Sequence, residues 1–390
     1  MRRILLLAGT VVFFDTLFFA ALVPLLPHYA HTLALGKTGA GVLAAAYPAG
    51  GLLGAVPSGL VAARAGVKPT VLVGLSAVAV CTVVFGVSDQ AWQLDVARFV
   101  QGVASAFSWT GALAWLVAAS PADRRGSMIG SAFAAAVGGA LFGPVLGGVA
   151  TVAGTGWTFG AVGVGSLGLV AFAATTPSTP PEAPQPLREL LTAVRDRRVI
   201  GAFWFVVLPA LLFGVLDVLA PLRLSKLGLG GVAIGTVFLC SAAFEAANNV
   251  LVGRVSDRRG TALPILAGLA GSVVTAALLP WPTHAALLVP LVALGGICFG
   301  SFFTPGMTLL THLSEARGLD YGYTFALVTL AWAPGQALGS AGGGALAHAT
   351  GDAIPYLGLA ALCALTFGAA WRTRASTAWS PPPGDSLTAE

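Results

Sequence analysis

Three carboxylates and one guanidinium, Asp15, Asp217, Glu245 and Arg98, sit inside segments that are otherwise almost wholly apolar. Asp15 is the most isolated, a single acid among the valines, leucines and phenylalanines of Val11 to Pro27. An ionised Asp at the centre of a membrane helix costs about 2.5–3.5 kcal/mol on insertion scales, so such a group faces protein or water and marks a functional site. The chemistry open to it is proton exchange and the holding of a cation. Glu245 has Asn248 and Asn249 one turn along on the same side, and the three groups read either as a static interhelical hydrogen-bond cluster or as a protonatable coupling or cation site. Asp217, with Phe213 and Pro221 one turn away on either side, is either substrate-binding or interfacial. Arg98 begins a polar stripe that Gln101, Gly102, Ser105 and Trp109 continue at helical spacing. It either snorkels to an interface or supplies a fixed positive charge beside a carboxylate.

The elements that hold these groups follow from composition. Hydrophobic residues make up 56% of the 390 and charged residues 9%, with mean hydropathy +0.87, against about 25% charged in a soluble domain. The chain reads as an integral membrane protein. Twelve apolar runs are countable, each long enough for a helix of about 20 residues: Ile4 to Leu26, Gly39 to Val61, Pro69 to Val87, Trp92 to Ala119, Ser127 to Ala153, Trp157 to Ala174, Val199 to Leu222, Val232 to Val252, Ala262 to Leu279, Ala285 to Thr311, Tyr321 to Ala349 and Ile354 to Trp371. Period-2 alternation is missing, which excludes a transmembrane barrel. The first run, interrupted by Asp15 and lacking a small-residue cleavage site, is expected to be an uncleaved span and not a signal peptide.

Of the twenty Lys and Arg, all but Lys37, Arg98, Arg223 and Lys226 fall on one side once the spans are threaded alternately. By the positive-inside rule that side is cytoplasmic and holds both termini. The pI near 9.3 therefore reflects topology, and no nucleic-acid partner is expected. The four cysteines, Cys81, Cys240, Cys298 and Cys363, lie singly within spans, without metal-ligand or disulfide spacing. His28 and His31 read as loop histidines or as a pH sensor. Gly163 to Gly168 fits a dinucleotide-binding pattern by chance, because no strand precedes it. No metal, cofactor or catalytic residue is expected, and His284, His312 and His348 are too scattered for a catalytic cluster.

A Pro-rich stretch, Thr175 to Pro186, and the charged run Arg188 to Arg198 divide the chain into six runs plus six. The expected units are 1–174, a linker at 175–198 whose charged part forms a short surface helix, 199–372, and a disordered tail at 373–390. The halves repeat each other. Gly59-Leu-Val-Ala-Ala-Arg-Ala-Gly-Val-Lys68 follows the second run as Gly253-Arg-Val-Ser-Asp-Arg-Arg-Gly260 follows the eighth, and Gly139-Ala-Leu-Phe-Gly-Pro-Val-Leu-Gly-Gly148 in the fifth is echoed by Pro334 to Gly344 in the eleventh. Small residues four apart let helices approach closely, and Pro144 removes one backbone bond. The fifth run is thus a close-packed, bendable contact built on Gly139, Gly143, Pro144, Gly147 and Gly148.

These motifs resemble those of the major facilitator superfamily over essentially the whole chain. The loop signature Gly-x-Leu-Ala-Asp-Arg-x-Gly-Arg-Lys is similar to Gly59 through Lys68, with Ala63 in place of Asp, and its second copy keeps Asp257, Arg258 and Gly260. Arg98-Phe-Val-Gln-Gly102 resembles the fourth-helix signature. The segment Gly139 to Gly148 matches every fixed position of the antiporter pattern, and Asp15-Thr16 with Pro24 and Pro27 is similar to the first helix of twelve-span drug:proton antiporters. Leu216-Asp217 to Pro221 and Tyr321 to Gly344 resemble the vesicular-amine-transporter-like group, although Thr329 and Gly300 stand where that group carries Asp.

The resemblance implies an all-α fold of twelve transmembrane helices in two pseudo-symmetric six-helix bundles. It also implies a monomeric secondary antiporter that exports small lipophilic or cationic organic molecules, as in drug or metabolite efflux, in exchange for protons. A proton symporter importing a sugar, acid or metabolite is the alternative on the same fold, and a polytopic membrane enzyme or sensor a more distant one. Asp15, Glu245, Asp217 and Arg98 are the expected proton-coupling groups. Phe18, Phe19, Gln101, Trp109, Trp332, Gln336, Asn248 and Asn249 join the three acids as expected substrate contacts.

Gly59, Arg64, Gly66, Gly253, Asp257, Arg258 and Gly260 are expected to form a latch for the outward-facing state, in which Arg satisfies helix-terminal carbonyls and Asp bridges to a neighbouring helix, although the positive-inside rule alone would also place the arginines there. Ala63 leaves the first copy without its acid. Ala63→Asp is accordingly expected to raise the outward-facing population, read as slower labelling of cysteines on the cytoplasmic side; unchanged labelling would argue against a latch.

Overall fold

A computed structural model describes residues 2–121, 124–178, 185–319 and 321–373, apart from the side chains at 126, 187, 321, 322 and 373. The described residues are helical, without strands: α1 (Arg2–Ala21), a 3-10 turn (Val23–Leu25), α2 (Leu26–Thr32), α3 (Lys37–Ala65), α4 (Val67–Val87), α5 (Ala91–Ala119), α6 (Arg125–Ala153), α7 (Thr155–Ala174), α8 (Leu187–Val194), α9 (Arg197–Lys226), α10 (Gly231–Arg259), α11 (Ala262–Leu278), α12 (Ala285–Ala316), α13 (Tyr321–Thr350) and α14 (Ala353–Thr373). Each apolar run of the sequence lies on a helix. Among the described residues ten helices or helix runs are long and apolar enough to cross a membrane, and α11 is a shorter apolar helix.

One element departs from its expected form. The first run, drawn as a single helix from Ile4 to Leu26, breaks at Val23–Leu25 and resumes as far as Thr32. Pro24 and Pro27 lack the N–H that an unbroken helix needs, so the chain tightens there into a 3-10 turn in which Leu25 N and Leu26 N both donate to Leu22 O. The charged run of the linker does form a short helix, α8. Its Leu190 and Ala193 pack with Leu319, Tyr323 and Leu327, and Asp196 pairs with Arg317. Residues 179–184 of the Pro-rich stretch and 374–390 of the tail lie outside the described residues.

In the N-terminal half, α1 packs on α6 and α5, α3 on α5, and α4 on α5 and α7; in the C-terminal half, α9 packs on α12 and α13, α10 on α12, and α11 on α12 and α14. The halves meet mainly along two seams, α3 with α13 and α6 with α10. Glycines set these distances. A Cβ on Gly41 would strike Ser340 O, one on Gly344 would come within 2.5 Å of Lys37 O, and one on Gly235 within 2.5 Å of Pro144 O. The segment Gly139 to Gly148 serves both partners of α6: Gly139, Gly143 and Gly147 lie against Phe13 O, Leu17 O and Ala21 O of α1, while Gly148 faces Gly231 O of α10. The repeated loop glycines share a different role. Gly66 and Gly260 adopt φ of 92° and 80° and close α3 and α10 by donating to Ala62 O and Ser256 O, a left-handed cap that glycine adopts without Cβ strain.

Within the N-terminal half, α3 and α5 interlock backbone to backbone, since a Cβ on Gly102 would overlap Tyr47 O and one on Gly50 would overlap Phe99 O. Gly160 on α7 has open space around it. Gly102→Val is expected to cost about 1–3 kcal/mol through overpacking, measured as a lower unfolding temperature in detergent, with Gly160→Val within error of the parent; equal effects would contradict the interlock.

Candidate functional site

Asp15 is 5% exposed and one of its oxygens collects three donors. Tyr47 Oη of α3, Ser105 Oγ and Trp109 Nε1 of α5 lie 2.7, 2.8 and 2.6 Å from Oδ2. Oδ1 is buried without a partner. Tyr47 Oη also lies 2.7 Å from Ser105 Oγ, so the two hydroxyls and the carboxylate form one network. Hydrogen bonds to an ionised acceptor are about twice as strong as neutral ones, and three of them offset part of the cost of burying the charge. No cation lies within ion-pair distance of Asp15 among the described residues.

Arg98 sits in the same half but does not pair with the acid. Its guanidinium donates to Phe18 O at 3.1 Å and Phe19 O at 3.4 Å of α1, and to Gln101 Oε1 at 2.9 Å. It also lies 4.8 Å from the centre of the Tyr47 ring and 5.9 Å from that of Phe85. Arg98 therefore braces α1 just before its break, and Tyr47 stands between the two charges, its ring toward Arg98 and its hydroxyl on Asp15. Gln101 donates to Thr82 Oγ1 at 2.9 Å and is 3% exposed. Gln101 and Phe18, both expected to meet substrate, are buried within their own half.

The second group lies on α9, α10, α12 and α13. Asp217 accepts from Gln336 Nε2 at 3.1 Å. Asn248 donates to Ser301 Oγ at 2.8 Å, and Asn249 Oδ1 accepts from Thr304 Oγ1 at 3.1 Å. Glu245 lies over Gly300, where a Cβ would come within 2.7 Å of its Cγ; a larger residue there would displace it. Asp217, Glu245, Asn248 and Asn249 are half-buried. The structure thus groups the two C-terminal acids with amides and hydroxyls only, apart from the Asp15 network.

Aromatic rings join the halves. Phe19 lies 5.3 Å from Tyr47 and 5.3 Å from Trp332 of α13, and Phe133 of α6 lies 5.9 Å from Trp109 and 5.9 Å from Phe325 of α13. On the face that carries the repeated loops, Arg64, Asp257 and Arg258 are exposed and make no side-chain ion pair or hydrogen bond among the described residues, where nothing lies within 4 Å of a Cβ on Gly59 or Gly253 either. The opposite face carries an ion-pair clasp between the halves. Lys37 at the start of α3 donates to Asp352 at 2.5 Å and to Ala347 O at 3.2 Å, and Arg223 lies 3.6 Å from Asp352 and donates to Pro282 O at 2.8 Å. Sequence reasoning missed this clasp and also Tyr47. The signal for Tyr47 was a phenol beside Pro48 in the middle of an apolar run; Lys37 and Asp352, 315 residues apart, offered none.

Over residues 8–335 and 218–389 the chain matches the Major Facilitator Superfamily. It is 29% identical over 374 residues, 91% of its own length and 92% of the relative's, to a chloramphenicol resistance protein of Streptomyces lividans. It is 34% identical over 105 residues to the MFS-type transporter ppzB of Metarhizium rileyi, a match spanning 27% of this chain and 22% of that one. In fold it is similar to the crystal structure of a bacterial homolog of the human lysosomal transporter Spinster in an inward-facing and unoccupied conformation, with TM-score 0.76, 15% identity and coverage of 97% and 98%.

The clasp of Lys37, Asp352 and Arg223 is partly exposed, which limits its worth to about 1 kcal/mol or about fivefold in population. Asp352→Asn is expected to speed labelling of an Ala347→Cys reporter by a membrane-impermeant maleimide about fivefold, with Cys240 replaced by Ser. An unchanged rate would mean that the glycine seams alone hold this face shut.

Proposed function

The chain belongs to the Major Facilitator Superfamily, and from that premise we propose that it is a proton-coupled antiporter exporting small lipophilic, cationic organic molecules. It is a multi-pass membrane transporter and not an enzyme. In this reading its apolar runs are twelve spans in two pseudo-symmetric bundles, 1–174 and 199–372, joined by the linker at 175–198. The basic face is cytoplasmic, both termini lie inside, and the chain stands open inward, with the Asp257 and Arg258 latch undone and the outer clasp made.

The observation that carries the proposal is the state of Asp15. It is a buried carboxylate with one oxygen saturated by neutral donors, the other bare, and no cation paired to it. Such a group can exchange a proton on the bare oxygen without dismantling the network on the other. Among the described residues the one buried guanidinium, Arg98, is committed to the backbone of α1, so a positive charge entering the region meets acids without a competing salt bridge. Asp217 and Glu245 with Asn248, Asn249 and Gln336 form the proposed substrate-cation site, and Phe19, Trp109 and Trp332 offer ring faces that attract a cation. The Streptomyces lividans relative is named for chloramphenicol resistance, which supports the outward direction. Exchange of one proton for one monovalent cation moves no net charge, so the pH gradient drives it, and a potential of 100 mV adds about 2.3 kcal/mol only for each further proton that enters.

Asp15→Asn keeps the size of the side chain and removes the proton site. In everted vesicles with an acid lumen, the parent is expected to accumulate ethidium and the variant to lose that pH-driven uptake. Unchanged uptake in Asp15→Asn would eliminate this residue as the carrier, while a lumen-acid gradient that expels the probe from parent vesicles would show symport and overturn the antiport reading.

A further inference from the structure

Both aromatic donors to Asp15 lead, through one further ring each, to the same helix of the other half. Tyr47, which donates to Oδ2 at 2.7 Å, touches Phe19, and Phe19 meets Trp332 edge to face. Trp109, which donates to the same oxygen at 2.6 Å, meets Phe133, and Phe133 meets Phe325. Phe325 and Trp332 are seven residues apart on α13, two turns, and so share one face of that helix. Two arms therefore run from one carboxylate oxygen to two points on α13, the helix that also forms the long seam with α3.

We propose that Tyr47 and Trp109 are positioning residues that transmit the protonation of Asp15 to α13, through Phe19 and Phe133 respectively. The inference rests on the reading of Asp15 as the proton carrier. When the carboxylate is ionised, Oδ2 holds the phenol and the indole in charge-assisted hydrogen bonds, and these fix the orientation of each ring against the next. A proton added to the bare Oδ1 leaves Oδ2 a neutral carbonyl oxygen, a weaker acceptor. The first ring of each arm is then freer to turn, and the edge-to-face and tilted contacts behind it, whose energies depend on orientation, lose their register. Because the arms contact α13 at two turns, they release the helix as a unit, which is what rocking one half against the other requires.

The charged groups around Asp15 are few. Helix α5 presents Arg98, which is turned to the α1 backbone, and α3 presents Tyr47. Helix α7 carries no titratable side chain, α6 carries only Arg125 at its first residue, and α4 carries Lys68, which donates to Thr176 O, and Cys81. The titratable groups of α13, Tyr321, Tyr323 and His348, stand outside the stretch from Phe325 to Trp332. Asp217 of α9, which accepts from Gln336 one turn beyond Trp332, is a second acid bonded to α13; the two arms themselves end on Asp15.

The test uses the full chain in lipid nanodiscs, with its four native cysteines replaced and spin labels at Ser131→Cys on α6 and Glu315→Cys on α12, so that the distance between the halves is read in alkaline and acidic buffer. The parent is expected to shift its distance distribution with pH. Tyr47→Phe with Trp109→Phe, which keeps an aromatic ring at each position and removes the hydrogen bonds, is expected to lose most of that shift. Phe19→Leu with Phe133→Leu, which leaves every hydrogen bond to Asp15 in place, is expected to lose it too. Asp15→Asn abolishing the shift while both double variants retain it in full would overturn the proposed arms and spare the proton reading. A shift that survives in Asp15→Asn would overturn the proton reading and this inference together, and a parent that does not respond to pH would likewise overturn the inference.

Discussion

Burying a carboxylate in a membrane-spanning helix costs several kcal/mol unless its oxygens find donors, and the way Asp15 meets that cost constrains the helices around it. Its three donors come from α3 and α5, so these two helices must approach closely enough for a phenol and an indole to reach one oxygen of α1. The interlock of Gly50 and Gly102 supplies that approach, with each glycine lying against a carbonyl of the other helix. Ser105 and Trp109, one turn apart on α5, then reach the same atom. The polar network and the glycine packing are therefore one arrangement, and enlarging either glycine would move the donors.

A second constraint acts on α1 from outside the carboxylate. Pro24 and Pro27 deprive the helix of two backbone donors, and the chain passes through a 3-10 turn immediately after the carbonyls of Phe18 and Phe19. Arg98 donates to both carbonyls and stacks on Tyr47 and Phe85, so the bend is held by a charge with little freedom to go elsewhere. This gives the arginine of the fourth apolar run a structural duty that its position beside an acid did not suggest. It also leaves the Asp15 region without an ion pair, the condition under which a buried acid remains available to a proton or a foreign cation.

Composition and periodicity were enough to place the apolar helices and the repeated glycine signatures, because each rests on local chemistry: the length of an apolar run, proline's missing donor, glycine's access to positive φ. Gly66 and Gly260 illustrate this, since their spacing after Gly59 and Gly253 is that of matching helix ends, and both close helices in the left-handed region. Asp15, Arg98 and Glu245 stood out for the same reason, as charges where charge is expensive. What escaped was pairing. Tyr47 looks like an ordinary aromatic residue until the phase of α3 against α5 is known, and Gln101 falls on the stripe with Trp109 yet turns to Thr82 because α4 lies beside it. Lys37 and Asp352 meet only because α3 and α13 cross the boundary between halves, a fact no local pattern encodes. The break was marked by its prolines, but the donation from Arg98 to the carbonyls of Phe18 and Phe19 one turn before it was not.

The two halves handle their acids differently, and that asymmetry bears on how one cycle could be divided between them. Asp15 is enclosed by three neutral donors whose positions are fixed by packing, and its only free lone pairs are those of Oδ1, which has room in its hydrogen-bond set for a proton and little else. Asp217 and Glu245 are half-buried, each neighboured by amides that can donate or accept after a simple rotation, and Glu245 itself occupies the space over Gly300. A preorganised site favours one small cation, whereas an amide-lined, partly open one can adjust to ligands of varied shape. On the proposed reading the proton therefore belongs to the N-terminal half and the organic cation to the C-terminal half. Their competition is then not for a common oxygen but for the position of α13, which contacts the first group through Phe325 and Trp332 and the second through Gln336.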